Sequence, residues 1–200
     1  MLKIALYTGT EIIPFIKEVS KLRISIFREF PYLYQGNMDY EIEYMDGYKH
    51  DSKSTLVVVR DNNRIIGVST GIPLNSSSTI VQEIKDILIK NNKKIDNIYY
   101  FGEVLVLPKY RGKGLVSKMY KLQENFVKQW GYDFVSILTV VRDNKHPLQP
   151  EKYQSHDELW KHLNFYREGI TTNFCWPTIQ GDGSVKNMRN LMEFWIKRLR

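Results

Sequence analysis

A glycine-rich, positively charged segment at residues 111–114 has the composition of an anion-binding turn. It follows an apolar run and precedes residues with helical spacing of apolar side chains. Backbone N–H groups at the start of a helix have no acceptors within the helix, so they can bind phosphate oxygens. Gly112 and Gly114 would let a phosphate approach the backbone, and Arg111 and Lys113 add positive charge. The segment predicts a phosphate-binding turn, although an ordinary strand–turn–helix junction has the same pattern.

One acidic residue, Glu103, interrupts the apolar run at residues 98–107 just before this turn. A carboxylate that is buried beside a phosphate-binding turn is a candidate for proton transfer, because burial makes it a better proton acceptor near neutral pH. The alternatives are a Glu on the solvent face of the strand and a Glu paired with a nearby cation.

The periodicity of apolar residues predicts the elements that must position these groups. It predicts helices over residues 11–29, 38–49, 81–91, 112–131 and 157–163. It predicts strands over residues 3–7, 55–60, 64–74, 98–107, 134–141, 169–176 and 191–198. This order describes one mixed α/β (α+β) domain over residues 1–200, with a central sheet of about seven strands flanked by helices.

The segment around Arg111 closely resembles the pyrophosphate-binding signature of the GNAT acetyltransferase superfamily. That signature reads Arg or Gln, two residues, Gly, one residue, and then Gly or Ala. Arg111 and Gly114 match it, whereas Val116 stands where Gly or Ala is usual. The predicted order of elements also matches the fold of that superfamily over essentially the whole chain.

The resemblance implies an N-acetyltransferase that uses acetyl-CoA as its cofactor and holds it in a cleft between two splayed strands. The pantetheine arm would lie between the strands, and a backbone N–H would face the thioester oxygen and stabilise the negative charge that develops there. The implied cofactor-binding residues are Leu105, Val106, Arg111, Gly112, Lys113, Gly114, Leu115, Val116, Ser117 and Asn144.

The resemblance further implies direct attack by an amine on the thioester. An alkyl amine has a pKa near 10, so at pH 7 it needs a proton acceptor, and Glu103 is the candidate base. Many relatives use a Tyr as general acid, but Trp160 stands at that position and an indole cannot usefully protonate a thiolate. Tyr153 is our candidate acid and Tyr166 the alternative. A thiol with a pKa of roughly 8.5 can also leave without strong acid assistance.

The acceptor side is implied by two stretches, residues 27–34 and 146–160, which look like a poorly characterised bacterial branch of the superfamily. The acceptor-binding residues implied by these stretches are Arg28, Tyr32, Tyr34 and Trp160. An acidic run in the second predicted helix could attract a cationic amine, but a solvated helix face is the favoured interpretation. That run consists of Asp39, Glu41, Glu43 and Asp46.

Composition limits the other possibilities. The four histidines lack metal-ligand spacing, so we predict no metal site. Cys175 is the single cysteine, so we predict no internal disulfide. We interpret Cys175 as a small buried hydrophobic residue. No apolar run approaches the roughly 20 residues of a membrane-spanning helix, and no secretory signal is recognisable. We therefore expect a cytoplasmic protein without a membrane partner, and the family resemblance implies that it acts on a small-molecule or peptide amine.

Two other functions are compatible with the sequence. Val116 and Trp160 depart from the family pattern, which would suit a non-catalytic acyl-CoA-binding or sensor module on the same fold. The net charge of +7 would suit a nucleic-acid-binding protein. No DNA- or RNA-binding motif accompanies that charge, so a basic solvated surface is the simpler interpretation and no nucleic-acid partner is expected.

Overall fold

The computed structural model describes residues 1–143 and 145–200, in which eight strands form one mostly antiparallel sheet with helices on both faces. The strands are β1 (Leu2–Thr8), β2 (Thr55–Asp61), β3 (Arg64–Pro73), β4 (Ile98–Tyr100), β5 (Val104–Val106), β6 (Phe134–Val140), β7 (Tyr166–Ile179) and β8 (Val185–Arg198). The α-helices are α1 (Ile16–Phe27), α2 (Met38–Asp46), α3 (Thr79–Lys90), α4 (Leu115–Gln129) and α5 (Asp157–His162). The mixed α/β fold class predicted from the sequence is confirmed.

The first predicted helix is shorter than its apolar pattern suggests. The chain forms a 3-10 segment at Gly9–Phe15, which contains Pro14, and the α-helix begins only at Ile16. A proline lacks the N–H of an α-helical hydrogen bond and its ring crowds the carbonyl four residues earlier, so it lies before the regular helix. Helix α1 then ends at Phe27, three residues before the cis peptide bond between Phe30 and Pro31.

The predicted strand at residues 98–107 is two strands. The sheet order is β1-β2-β3-β4-β6-β8-β7, and β5 pairs with β3 outside that path. Strand β4 runs parallel to β6 up to the pair Tyr100 and Ser136, and the Phe101 N–H donates to the Ser136 carbonyl at 2.9 Å. Beyond that point β5 pairs with β3 alone. The two splayed strands that the resemblance implies are therefore confirmed: β4 runs parallel to β6, and the chain leaves β6 where β5 begins.

The last two strands form a hairpin of 14 residues in each strand, longer than predicted. Its distal half carries polar side chains such as Lys186 and Asn187, which lack the alternation of apolar residues that identifies a strand from sequence. Cys175 lies exposed on β7, so its interpretation as a buried residue is wrong.

The two faces of the sheet have separate hydrophobic clusters. Helices α1, α2 and α3 pack on one face, where Val19 and Met45 are fully buried. Helices α4 and α5 pack on the other face, through residues such as Met119, Tyr120 and Trp160. Because β5 and β6 diverge between these layers, the sheet itself has an opening that connects its two faces.

Candidate active site

A cleft of about 920 Å³ occupies the opening between β5 and β6. On one side it is lined by the end of α1 and the following loop, including Phe27 and Tyr32. On the other it is lined by the start of α4 and by α5, including Tyr120 and Trp160. The cleft therefore joins the α1 face of the sheet to the α4 face.

The glycine-rich turn forms the α4 end of this cleft. Gly112 and Gly114 have left-handed φ angles of 72° and 69°, and Gly114 is the N-cap of α4. A Cβ at either position would meet no atom within 4 Å, so the backbone conformation rather than space requires glycine. The Lys118 N–H donates to the Gly114 carbonyl at 3.2 Å, and the N–H groups of the three residues before it have no acceptor within the helix. This arrangement can bind an anion.

The two basic side chains of the turn differ in position. The Arg111 Nε donates to the Val106 carbonyl at 3.0 Å, and its Nη1 contacts Glu29 Oε2 at 2.8 Å. Because Glu29 follows α1, this ion pair joins the turn to the α1 side at the mouth of the cleft. The Lys113 ammonium instead lies 5.3 Å from the centre of the Tyr110 ring, and Lys113 does not line the cleft.

The backbone of β5 presents alternate residues to the cleft. Leu105 is fully buried, belongs to the ladder with β3 and does not line the cleft. Val104 and Val106 do line it. Because successive residues of an antiparallel pair point their backbone groups to opposite sides, the N–H groups of Val104 and Val106 face the opening. Of the predicted cofactor-binding residues, those that line the cleft are Val106, Arg111, Gly112, Gly114, Leu115, Val116 and Ser117. Asn144 lies outside the described residues.

Glu103 lies where β5 begins to leave β6, at the wall of the cleft, and only 6% of it is exposed. Its carboxylate pairs with the Arg23 guanidinium and accepts hydrogen bonds from the hydroxyls of Thr70, Tyr44 and Tyr48. The distances from the two tyrosine hydroxyls are 2.8 Å and 3.2 Å. Glu103 is therefore both buried and paired with a cation, which excludes the solvent-face alternative.

A second carboxylate lies behind this pair. The Arg23 Nε also donates to Glu41, whose side chain is fully buried. We call Arg23, Glu41 and Glu103 the buried ion network. Interpretation of the acidic run as a solvated helix face is thus wrong for Glu41. Glu41 lies four residues before the buried Met45 and hence on the inward face of α2, a spacing that the sequence does show.

The candidate acid, Tyr153, lines the cleft and packs edge-on against Phe30, with ring centres 4.6 Å apart. Burial, and then the nearby Asp157, raise the pKa of Tyr153 above its usual value of 10. The hydroxyl therefore stays protonated near neutral pH and can donate a proton to a strong base. The alternative, Tyr166, is exposed on β7 and does not line the cleft.

Trp160 closes the cleft from α5 and is 6% exposed. It stacks on Tyr120 with ring centres 6.1 Å apart, and its Nε1 has no hydrogen-bond partner within residues 1–143 and 145–200. Tyr120 lines the cleft one turn after Val116, on the same side of α4. The sequence patterns did not single out Tyr120, although its spacing from Val116 places it there.

His156 is a further cleft residue that was not predicted. The residue is exposed, and its imidazole lies at the wall of the cleft where solvent can reach it. Burial, and then the nearby Arg111, lower the pKa of His156 below 6.5. The imidazole is therefore neutral at pH 7. Nothing in the spacing of the sequence indicated this position, because it depends on how the loop after β6 folds back.

The predicted acceptor-binding residues divide into two groups. Tyr32 and Trp160 line the cleft, and burial, followed by the charge of Glu103, raises the pKa of Tyr32 to about 12. Tyr34 is buried away from the cleft and pairs with Thr178 of β7. Arg28 is exposed and donates a hydrogen bond to Gln35. The structure therefore brings only the first two of these residues to the cleft.

Within residues 1–143 and 145–200 there is no group of three or more His, Cys, Asp or Glu residues that could hold a metal ion. In the same part of the chain no helix has the length and apolar character needed to cross a membrane.

Several solved structures share this fold over their full length. An N-acetyltransferase from Staphylococcus aureus is 14% identical, with 100% of this chain and 99% of that chain covered and a TM-score of 0.60. A second acetyltransferase of the GNAT family from that organism is also 14% identical, with both chains fully covered and a TM-score of 0.62. The yncA protein from Salmonella typhimurium, solved with its cofactor acetyl-CoA, is 10% identical, with 98% and 94% covered and a TM-score of 0.59. At these identities the likeness shows the fold.

No curated protein matches this chain in sequence. The family comparison does find a match, to the model described as acetyltransferase (GNAT) family, over residues 19–148. The matched segment runs from α1 to the loop after β6 and contains both the glycine-rich turn and Glu103. It covers more than half of the chain, and the chain therefore belongs to the acetyltransferase (GNAT) family.

Proposed function

We propose that this single domain transfers the acetyl group of acetyl-CoA to a primary amine by direct attack. The observation that carries this proposal is the continuous cleft, which joins the anion-binding turn on the α4 face to a buried carboxylate on the α1 face. A donor with a phosphate-rich end and an acceptor that must lose a proton need these two features at opposite ends of one cavity.

The residues at the α4 end fit coenzyme A. Two left-handed glycines and the first turn of α4 present backbone N–H groups to an anion, and Arg111 adds charge. We assign the pyrophosphate to this turn, with Ser117 beside it, and the pantetheine arm to the opening along Val104 and Val106. When bound, acetyl-CoA supplies an activated acyl thioester. A backbone N–H of β5 that faces the opening would stabilise negative charge on the thioester oxygen.

Transfer forms a C–N bond and breaks a C–S bond, so the amine must lose a proton and the leaving sulfur can accept one. We assign the first transfer to Glu103, because it is the acidic residue at the wall of the cleft nearest the start of β5. Tyr153 is the candidate donor to the sulfur, since its hydroxyl stays protonated at neutral pH. A thiol with a pKa of roughly 8.5 needs little assistance, so loss of Tyr153 is expected to have a small effect.

The acceptor is expected to be a small-molecule or peptide amine that enters from the α1 side. The walls there are largely aromatic, formed by Phe27, Phe30 and Tyr32, with Tyr153 packed against Phe30. Aromatic walls with one convergent carboxylate suit an amine that carries an apolar group.

A non-catalytic acyl-CoA sensor on the same fold is the second candidate function. It is favoured by the Glu103 carboxylate, whose oxygens already have four donors. It is also favoured by Trp160, which stands in place of a tyrosine. Such a sensor would bind acetyl-CoA in the same cleft but would not transfer the acetyl group.

The two candidates are separated by thiol release from acetyl-CoA in the presence of a panel of primary amines, with mass spectrometry of the amine product. A transferase releases thiol only when a suitable amine is present, and the product gains one acetyl group. Calorimetric binding of acetyl-CoA without amine-dependent release, across aliphatic, aromatic and peptide amines, would favour the sensor. Absence of acetyl-CoA binding would contradict both.

A further inference from the structure

The buried ion network contains more negative than positive charge. Arg23 is the single guanidinium between two carboxylates, Glu41 and Glu103, and all three side chains are at least nine-tenths buried. The three come from α1, from α2 and from the segment between β4 and β5. Only Glu103 lines the cleft. With both carboxylates ionised the network carries one net negative charge.

Burial of a second carboxylate is unfavourable unless its oxygens are satisfied. Glu41 Oε2 accepts from Arg23, whereas Glu41 Oε1 has no partner at hydrogen-bond distance within the described residues. The nearest phenol is Tyr34, whose pKa is raised by burial and then by the charge of Glu41, so it is neutral and does not offset that charge. An apolar residue would avoid this cost. Glu41 therefore calls for an explanation other than stability, and its position behind Arg23 supplies one.

We propose that Glu41 is a positioning residue that acts through Arg23: it offsets the guanidinium charge so that Glu103 can accept a proton as a general base. This inference rests on the proposed function, in which Glu103 accepts the amine proton. An opposite charge within about 4–6 Å favours the ionised form of a carboxylate. Paired with Arg23 alone, the Glu103 carboxylate would face an uncompensated positive charge, whereas in the network it faces the neutral Arg23–Glu41 pair.

The other groups that face Glu103 do not offset the positive charge of Arg23. Tyr44 and Tyr48 donate hydrogen bonds to it, and its charge also acts on four other tyrosines, Tyr32, Tyr40, Tyr100 and Tyr120. Burial raises the pKa of each of these tyrosines, so all six are neutral near pH 7. Arg23 and Glu41 are thus the charged groups in the described surroundings of Glu103.

The test is Glu41→Gln, which keeps the size of the side chain and removes its charge. We expect the acid limb of the kcat/KM profile for the amine to move to lower pH by about one unit, and kcat to fall a few fold, because Glu103 becomes a weaker base. The matched control is Glu124→Gln, which neutralises a buried carboxylate paired with Lys197 at 2.6 Å outside the cleft. The control should leave the acid limb in place.

Two further variants determine the direction in which each charge moves the acid limb. Arg23→Gln should move the acid limb to higher pH, because it leaves two carboxylates without their cation. The double variant R23Q/E41Q should return the limb close to that of the wild type, since it removes a neutral pair. A structural role for Glu41 would lower the folded fraction in each variant and leave the limb unmoved, which would overturn the proposal. If one single variant does not fold, the other single variant and the double variant still show in which direction the acid limb moves.

Failure of this inference is distinguishable from failure of the proposed function. Carbon-13 labelling of glutamate side chains follows the proton uptake of Glu103 without any reaction, and Glu103→Gln assigns its signal. If no amine is acetylated, the proposed function fails, while the shift of this signal between wild type and Glu41→Gln still tests the role of Glu41. If amines are acetylated but neither the signal nor the acid limb moves in Glu41→Gln, the inference alone is wrong.

Discussion

The two ends of the cleft are built by different means. The glycine-rich turn uses backbone groups of a short contiguous segment, and its geometry depends on two left-handed glycines. The buried ion network uses side chains, and Arg23 lies 18 residues from Glu41 and 80 from Glu103 in the chain. Local sequence therefore specifies the first end, whereas the packing of α1, α2 and the broken strand specifies the second. The two ends should respond to different kinds of substitution.

The largest effect is expected for Glu103→Gln at the network end. This variant should keep its acetyl-CoA affinity but lose about 100-fold or more in turnover at pH 7, the usual scale for loss of a general base. The defect should shrink as the pH rises, because the amine then loses its proton without assistance. Rates measured from pH 7 to 10 at saturating acetyl-CoA check both statements.

Glu124→Gln is the matched control for this measurement too, because it removes a buried carboxylate outside the cleft. A relative defect that stays flat with pH would assign Glu103 a structural role. A folded Glu103→Gln protein with near-normal turnover at pH 7 would leave water as the proton acceptor.

The next largest effect is expected for a substitution in the glycine-rich turn. Gly114→Leu should weaken coenzyme A binding at least about tenfold, because a side chain disfavours the left-handed backbone and hinders approach of the phosphate. Gly131→Leu is the matched control: Gly131 also has a left-handed φ, of 89°, with no atom within 4 Å of an added Cβ, but it lies at the other end of α4. Calorimetric titration should show a loss of affinity only for the first variant. Equal losses would mean that the effect is general destabilisation.

The same contrast explains how much the sequence could predict. The turn at Arg111–Gly114, the elements around it and the divergence beside β6 follow from local patterns and from the family resemblance. The break at residues 101–103 and the burial of Glu41 do not, because both depend on contacts between distant elements. In the break, the Glu103 N–H donates to Thr70 Oγ1 at 3.0 Å. Propensities within a single segment carry no information about such a partner.

A smaller effect is expected for the ion pair between Arg111 and Glu29, which joins the two ends of the cleft. Glu29→Gln should strengthen coenzyme A binding, because it removes an anion near the phosphates and leaves Arg111 free to contact them. Both side chains are more than 40% exposed, so the gain should not exceed about 1 kcal/mol, or about fivefold in affinity. Glu43→Gln, an exposed change on α2 with the same effect on net charge, is the control. A gain shared equally by both variants would show that Glu29 acts only through the total charge.

The smallest effect concerns the loop that closes the cleft, which carries His146 and His156. Burial lowers the pKa of both imidazoles below 6.5, so the folded protein binds fewer protons than the unfolded chain just below that pH. The stability contributed by neutral histidines is therefore present above pH 6.5 and is lost as the pH falls toward the lowered values. Replacement of both by Gln should reduce the difference in unfolding free energy between pH 7.5 and 5.5, measured with urea. Gln154→Ala, in the same loop, introduces no titrating group and should keep the wild-type difference. If the variant without both histidines also keeps the wild-type difference in unfolding free energy, the two histidines do not lose protons on folding. In that case the charge of Arg111 does not lower the pKa of His156.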